Sequence, residues 1–167
     1  MDFDGLFDAC YPSLRRYCGR LTGDQDSGDD VAQEAFVRLL ERKPQGTQDG
    51  LRSWLFTVAT HLVRDRVRVS ENRRRLLDQH PVGPSAPPNP EEEISRQERV
   101  ESVRRALEEL GSRDRSLLLM REEGLSYREL ADALGVSPAS VGTLLARARE
   151  RLAKALNQEM RSNEASG

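Results

Sequence analysis

The sequence predicts an all-α protein, built from two small helical domains that a proline-rich linker joins. Apolar residues recur at three- and four-residue steps along most of the chain, and no stretch shows the alternation that predicts a strand. Five of the eight prolines lie in 79–93, a segment that also carries three consecutive glutamates. Prolines at that density favour an extended linker. We therefore predict domains at 1–78 and 94–160, with this linker between them.

Composition narrows the class of protein. A chain of 167 residues is long enough for one domain or for two small ones. With 37% hydrophobic and 32% charged residues, it favours small helical cores with extensive charged surface. No apolar run reaches the roughly 18 residues that a membrane helix needs. The acidic start Met1–Asp4 is unlike a secretory signal. We therefore expect a cytoplasmic protein with no membrane insertion.

The net charge of −2 hides two basic segments. Segment 51–75 carries seven basic and two acidic residues, and segment 138–167 carries five and three. Two separate basic segments indicate two nucleic-acid contacts. The alternative is that each is only a solvated helix face. That alternative is weaker for 51–75, because few acids balance its arginines.

Three helices are predicted in the first domain. The first runs from Asp2 to about Leu21, with Pro12 as a point where it bends or breaks. A second helix is predicted to start near Asp29, because carboxylates suit a helix N-terminus. A third is predicted over 51–75, apolar at first and arginine-rich at its end. The connections are predicted as a polar turn at 22–28 and a loop at 43–49.

Four further helices are predicted in the second domain. The first carries an apolar face that includes Val100 and Val103, and Gly111 ends it. Ser112 is predicted to cap the next helix, which Gly124 ends. The last helix is expected to fray from Asn157, where the chain becomes polar.

The stretch 125–152 predicts two helices joined by a tight turn. Ser126 and Glu129 form the pattern of a capping box, and Gly135 stands where a left-handed residue ends a helix. Ser137 is predicted to cap the next helix, with Pro138 at its first position. The turn has the length found in helix-turn-helix motifs, whose second helix enters the major groove. A helical hairpin buried in a core is the alternative, but the polar outer face favours DNA binding.

No enzyme chemistry is visible in the sequence. It contains no glycine-rich phosphate loop and no Gly-x-Ser-x-Gly motif, and its only histidines are His61 and His80. Cys10 and Cys18 cannot form a four-ligand zinc site by themselves, and we expect both to be small buried side chains. We therefore predict no catalytic residues, no metal and no cofactor.

Three motifs give the chain a family resemblance. Segment 29–36, Asp-Asp-Val-Ala-Gln-Glu-Ala-Phe, resembles the signature Glu-Asp-Leu-Val-Gln-Glu-Thr-Phe. Segment 53–61, with Asp65, Arg66 and Arg68 after it, resembles the helix Trp-Leu-x-x-Ile-Ala-x-Asn-x-x-x-Asp-Arg. Segment 124–137 resembles a terminal helix-turn-helix module. In this order, the motifs resemble sigma factors of bacterial RNA polymerase, in the sigma-70 family and of the compact extracytoplasmic-function type, over about residues 3–157.

The resemblance implies partners. The helix of the first motif would dock on the clamp helices of the largest polymerase subunit, and the terminal module would meet the polymerase flap. The acidic linker is similar to one that threads the polymerase channels ahead of RNA. Such factors are commonly held by an anti-sigma protein. The residues that this resemblance assigns to core docking are Asp30, Gln33, Glu34 and Arg38.

The resemblance also implies two promoter contacts. The loop before the tryptophan helix and that helix would recognise and open the minus-ten element on single-stranded DNA, where a flipped base needs a pocket. The helix-turn-helix would recognise the double-stranded minus-thirty-five element. The minus-ten residues are Lys43, Arg52, Trp54, Thr57, His61, Arg64, Arg66 and Arg68. The minus-thirty-five residues are Ser126, Arg128, Ser137, Ser140, Thr143, Arg147, Arg149 and Arg151.

Two positions depart from the family pattern. His61 stands where the family usually has asparagine, which affects the expected minus-ten base preference. Segment 141–144 is Val-Gly-Thr-Leu, where the family usually has cations, as in Val-Lys-Ser-Arg. A bidentate contact to one base is worth about 1–3 kcal/mol of discrimination. We therefore expect either a weaker guanine preference at minus thirty-five or heavier reliance on minus ten.

Two other functions remain open from the sequence. A stand-alone helix-turn-helix regulator would bind DNA without polymerase, but it leaves the arginine-rich helix and the linker unexplained. A protein-binding adaptor that has lost DNA binding is the third possibility, since the recognition helix is poor in cations at 141–144.

Overall fold

The fold is all-α over the residues that the structure describes. The computed structural model describes the backbone of 1–74 and 90–166, and the side chains of 1–66 and 91–166. These ranges contain helices and no strand, as predicted, and no helix in them has the length and apolarity needed to cross a membrane. The helices are α1 (Phe3–Thr22), α2 (Gln25–Arg42), α3 (Gln48–Arg74), α4 (Pro90–Glu109), α5 (Ser112–Glu122), α6 (Tyr127–Leu134) and α7 (Pro138–Ala165).

Helix α1 is unbroken, and α2 begins earlier than predicted. Pro12 lies inside α1 without ending it. The turn after α1 is short: Gly23 has a φ of 73°, and Asp24 already caps α2. The Asp24 carboxylate accepts hydrogen bonds from the Ser27 backbone N–H at 3.3 Å and from the Ser27 hydroxyl at 2.7 Å. The predicted turn at 22–28 and the predicted start near Asp29 are therefore wrong.

Helix α3 also begins before its predicted start. The Thr47 hydroxyl accepts a hydrogen bond from the backbone N–H of Gly50 at 3.1 Å, and the helix starts at Gln48. This side-chain contact satisfies a free N–H of the first turn, which the prediction of a loop at 43–49 overlooked. Residue 75, the predicted end of the helix, lies outside the described residues.

Helices α4 and α5 differ from their predicted boundaries. Helix α4 begins at Pro90, so Glu91–Glu93 form its first turn rather than the end of the linker, where they complement the helix dipole. Positions 79–89 of that linker lie outside the described residues. Gly111, not Ser112, occupies the position before α5. Val100 and Val103 are 59% and 42% exposed, so the predicted apolar face of α4 is only partly packed.

The helix-turn-helix forms as its local signals predict. Ser126 and Glu129 make a capping box, and Gly135 ends α6 in the left-handed region with a φ of 69°. Ser137 is the N-cap residue of α7, with Pro138 following, but its side chain makes no capping hydrogen bond. Helix α7 continues to Ala165, so the predicted fraying from Asn157 is wrong. The end of α7 packs along α4, which stabilises it.

One apolar core runs through both parts of the chain. Helices α1–α3, the N-terminal bundle, contribute Tyr17 and Phe56, and the C-terminal part, α4–α7, contributes Leu117, Met120 and Leu130. Helix α5 packs against α1, and α6 packs against α3. The two predicted domains therefore form a closed arrangement. The buried free thiols at 10 and 18 confirm the prediction for the cysteines.

Candidate polymerase and nucleic-acid interface

The outer face of α2 carries the predicted docking residues together. Asp30 and Gln33 are exposed, and Glu34 and Arg38 are half-buried. Arg38 Nε lies 3.4 Å from Glu34 Oε1, one helical turn away. Val37 lies on the same face, is 45% exposed, and adds an apolar side chain among these polar ones. The inner face of α2 packs into the bundle, so this outer face is available to a partner.

A cavity opens beside the loop between α2 and α3. Lys43 ends α2 with a φ of 45°, which turns the chain sharply away from the helix. The cavity measures about 520 Å³, and both polar and apolar side chains line it. That volume is in the range of small-molecule pockets. Its wall includes the loop, the start of α1 and the end of α2: Met1, Asp2, Leu40, Lys43, Pro44 and Gln45.

The predicted minus-ten residues on α3 divide between two sides of the helix. His61, Arg64 and Arg66 are exposed, and Trp54 is half-buried against the core. Arg52 and Thr57 instead face α6 of the C-terminal part, and each hydrogen-bonds to it. The side chain of Arg68 lies outside the described side chains. The structure therefore brings only part of the predicted set to a free surface.

The predicted minus-thirty-five residues lie on α6, the turn and α7. All eight are exposed, as a DNA-reading face requires: Ser126, Arg128, Ser137, Ser140, Thr143, Arg147, Arg149 and Arg151. Arg151, however, is committed to an internal contact, since its Nη1 lies 2.6 Å from Asp114 Oδ2 on α5. The Ser126 hydroxyl accepts the Glu129 backbone N–H at 3.2 Å, so it serves the helix cap.

The contacts between α3 and α6 centre on Glu129, which sequence analysis placed only in a helix cap. Arg52 forms a bidentate ion pair with the Glu129 carboxylate, through its Nε and through its Nη2, which lies 2.6 Å from Oε1. The Ser53 hydroxyl donates to the Glu129 carbonyl at 3.2 Å. The Thr57 hydroxyl lies 3.2 Å from the Ala133 carbonyl. Burial raises the pKa of Glu129, but the Arg52 contact and the Ser126 N–H lower it more, so the carboxylate stays charged.

A second polar contact joins α1 to the end of α5. The Glu123 side chain is only 4% exposed. Arg16 Nη2 lies 3.1 Å from Glu123 Oε2, and Arg20 Nη1 lies 3.0 Å from Oε1. No local pattern reveals this pairing or that of Arg52 with Glu129, because the partners are far apart in the sequence and only tertiary folding brings them together.

Tyr127, an exposed aromatic side chain beside the recognition helix α7, was not among the predicted site residues. Tyr127 is 44% exposed, and the Arg121 guanidinium lies 5.2 Å from the centre of its ring, within cation–π range. A side chain at Gly142 would meet the Tyr127 ring at 3.7 Å, an ordinary contact. Gly142 stands where the family usually has a cation after the valine. Arg121 of α5 lies close to the same surface, because it packs over the Tyr127 ring.

Two family models match the chain. Residues 6–74 match the model of sigma-70 region 2, and residues 101–152 match that of sigma-70 region 4. The first match covers most of the α1–α3 bundle. The second covers the last nine residues of α4, then α5, α6 and the first half of α7.

Two curated relatives and one solved structure similar to this chain are sigma factors. The chain is 30% identical to RNA polymerase sigma factor YlaC of Bacillus subtilis, over 90% of both chains. It is 29% identical to the ferric citrate uptake sigma factor FecI of Escherichia coli, over 90% of this chain and 88% of FecI. The sigma factor RpoE of Bartonella quintana, solved with the anti-sigma factor NepR, shares the fold at a TM-score of 0.65 and 20% identity, covering 93% of this chain and 97% of RpoE. The chain belongs to the sigma-70 family of RNA polymerase sigma factors, in its extracytoplasmic-function subfamily.

Proposed function

We propose that this sigma factor directs core RNA polymerase to promoters through three surfaces of its own. The outer face of α2 binds core polymerase, the α2–α3 loop and the exposed side of α3 bind the minus-ten element, and α6–α7 bind the minus-thirty-five element. The observation that carries the proposal is that regions 2 and 4 each expose residues from the sets that the family motifs assign. The protein acts by binding in the cytoplasm, without chemistry of its own.

The minus-ten surface combines a pocket with cations. Opening the duplex exposes bases, and a base that leaves the stack needs a cavity and polar groups at its edge. The cavity beside Lys43 supplies both on the loop between α2 and α3. Arg64 and Arg66 lie further along α3 and supply positive charge for the phosphates of the displaced strand. This support favours single-strand capture by region 2.

The minus-thirty-five surface depends on contacts to phosphates. Its cations begin at Arg147, several residues into α7, whereas the helix start carries only small polar groups such as Ser140 and Thr143. Phosphate contacts fix register but carry no sequence information directly. Region 4 is therefore proposed to anchor the upstream DNA, while most base discrimination falls to region 2.

An anti-sigma protein is a further proposed partner. A solved sigma factor of the same fold, RpoE of Bartonella quintana, was crystallised with the anti-sigma factor NepR. Because the fold alone is shared at that level of identity, the partner of this chain is proposed by family membership and not by that complex.

Core binding tests the proposal. Glu34→Arg places a cation next to Arg38 in the middle of the proposed docking face and reverses its charge. We expect wild-type protein to co-elute with core polymerase, and the variant to lose at least about tenfold in affinity, or about 1.4 kcal/mol. Circular dichroism should show unchanged helicity, because Glu34 lies on the outer face.

The matched control is Asp8→Arg, the same charge reversal at an exposed position of α1. It should leave core binding within twofold. A Glu34→Arg variant that still co-elutes with core would show that the docking face lies elsewhere. Wild-type protein that binds promoter DNA tightly but never binds core would establish a stand-alone regulator instead.

A further inference from the structure

We propose that Asp114 on α5 limits how strongly region 4 holds DNA, because it withholds Arg151 of α7 from the phosphates. The two side chains form an ion pair inside region 4, with Arg151 Nη1 2.6 Å from Asp114 Oδ2. This inference rests on the proposed function, because it concerns the minus-thirty-five surface assigned there. Asp114 itself belongs to none of the three proposed surfaces.

Arg151 lies on the side of α7 that other proposed DNA contacts share. Thr143, Arg147 and Arg151 follow one another at four-residue steps, so each lies about one turn beyond the last on the same side of the helix. All three are exposed. By position, Arg151 is therefore a candidate for a phosphate contact, like Arg147, which makes no ion pair within the described side chains. What distinguishes the two arginines is the carboxylate of Asp114.

Burial makes the ion pair asymmetric. The Asp114 side chain is 9% exposed, whereas the Arg151 side chain is 55% exposed. A buried carboxylate needs a partner, because the protein interior does not solvate its charge as water does. Within the described side chains, Arg151 supplies the one ion pair that Asp114 makes. Water or a phosphate can replace the carboxylate for Arg151, but Asp114 has no comparable substitute, so the pair holds the arginine on the α5 side.

The ion pair also cancels the charge that a phosphate would meet. A cation strengthens DNA binding because it displaces condensed counterions, and each neutralised phosphate adds about 0.9 to the slope of log affinity against log salt. An arginine that a carboxylate already balances contributes little to that displacement. The loss matters in this chain because segment 141–144 at the start of α7 contains no cation. Region 4 therefore holds DNA with one cation fewer than its exposed arginines suggest.

Neutralising Asp114 should release the charge of Arg151. Asparagine has nearly the shape of aspartate, and its amide oxygen still accepts a hydrogen bond. For holoenzyme with Asp114→Asn, we expect the slope against salt to steepen by about 1. Affinity for promoter DNA should rise about eightfold at about 0.1 M salt, with no gain at about 1 M. Titration of a labelled promoter fragment, mapped by footprinting of the holoenzyme, measures both quantities at several salt concentrations.

The gain should not depend on sequence. A phosphate contact carries no sequence information directly. The increase in affinity with Asp114→Asn should therefore be equal on the mapped promoter and on a duplex in which the upstream element is scrambled. A gain confined to the mapped promoter would contradict release of Arg151 to a phosphate.

The double variant Asp114→Asn with Arg151→Gln separates released charge from changed packing. It replaces the charged pair with a neutral one and buries no unpaired charge, so it should match wild type in slope and affinity. If Arg151 already neutralises a phosphate in the wild type, the double variant should instead lose about 1 from the slope. That result would overturn the inference, and it can be obtained even if Asp114→Asn alone loses helicity by circular dichroism. A folded Asp114→Asn protein with an unchanged or shallower slope would overturn it too, because a merely structural role of Asp114 predicts that outcome.

Glu109→Gln is the matched control for the loss of one negative charge in region 4. Glu109 is exposed at the end of α4 and makes no ion pair within the described side chains. Its neutralisation should leave the slope unchanged, because it releases no arginine. A control that steepens the slope as much as Asp114→Asn would show that net charge, and not Arg151, causes the gain.

The role of Asp114 and the proposed function fail in different ways. Wild-type protein that gives no promoter-specific footprint with core refutes the proposed function, and the role of Asp114 in it falls as well. Wild-type protein that gives the footprint, beside an Asp114→Asn variant whose slope is unchanged, refutes the role of Asp114 alone.

Discussion

At the scale of single residues, the cations of α7 are the groups that we propose to hold DNA in region 4. Arg147 and Arg149 are exposed and make no ion pair within the described side chains, whereas Arg151 is paired with Asp114. The unpaired arginines are therefore better placed for phosphates than the paired one. The three arginines look alike in the sequence, because a pairing partner on α5 cannot be recognised from local spacing.

Removing these arginines should weaken promoter binding and its salt dependence together. We expect Arg147→Ala with Arg149→Ala to lower promoter affinity of the holoenzyme and to reduce the slope of log affinity against log salt by about 2, one for each phosphate that an arginine no longer neutralises. Titration of labelled promoter DNA at several salt concentrations measures the slope. Lys154→Ala, one exposed cation further along α7, is the control. An unchanged slope in the double variant would place the upstream contact elsewhere.

Tyr17 couples stability to alkaline pH. Complete burial raises its pKa to about 12, although hydrogen bonds with Ser116 and Thr60 act against that rise. The folded state therefore favours the protonated phenol more than the unfolded state does. Its contribution to stability is fully present below pH 10, the ordinary value, and is lost as pH rises from 10 towards 12.

Denaturant unfolding at about pH 7, 10 and 11 measures this coupling. Between pH 10 and 11, Tyr17 should remove about 1 kcal/mol of unfolding free energy, since one pKa unit corresponds to about 1.4 kcal/mol. Tyr17→Phe lacks the titrating group and should show a shallower decline. The Cys18 thiol, whose pKa burial also raises to about 12, remains in both proteins, so their difference isolates Tyr17. Parallel declines would contradict the assignment.

At the scale of elements, local signals predicted the helix-turn-helix well and other boundaries poorly. The capping box at Ser126 and the left-handed Gly135 act within one turn of chain, so a short stretch of sequence determines them. The predicted start of α2 was wrong because both Asp24 and Asp29 carry a carboxylate that suits a helix N-terminus. Only the structure shows that the Asp24 carboxylate is the one that reaches a free N–H. The exposed Val100 shows that apolar periodicity predicts a helix without determining what covers it.

The two cap serines of the helix-turn-helix should differ in their contribution to stability. The Ser126 hydroxyl accepts a hydrogen bond from the helix backbone, whereas the Ser137 hydroxyl makes no capping bond and instead contacts the Ser140 hydroxyl at 2.8 Å. Ser126→Ala should therefore cost about 1 kcal/mol of unfolding free energy, and Ser137→Ala a few tenths at most. Chemical denaturation of the two variants makes the comparison directly. Equal losses would show that the cap bond at Ser126 is not what stabilises α6.

At the scale of the whole molecule, the fold class could be predicted from the sequence, and the three candidate surfaces stay predictions, but the closed arrangement could not be predicted. Each candidate surface was assigned from a motif in its own stretch of sequence. The contact of region 2 with region 4 depends on pairs such as Arg52 and Glu129, and no periodicity or charge pattern links residues so far apart. The same structure places proposed DNA residues on both sides of that contact, which explains why part of the predicted minus-ten set is not free.

The central claim is that this chain gives core RNA polymerase promoter specificity, and run-off transcription tests it most directly. The templates are fragments that carry promoters mapped by footprinting the reconstituted holoenzyme on genomic DNA. We predict defined transcripts when core and this protein are both present, none with core alone, and a strong reduction with Glu34→Arg. Transcripts that are identical with and without the protein, while the protein binds DNA by itself, would contradict the account.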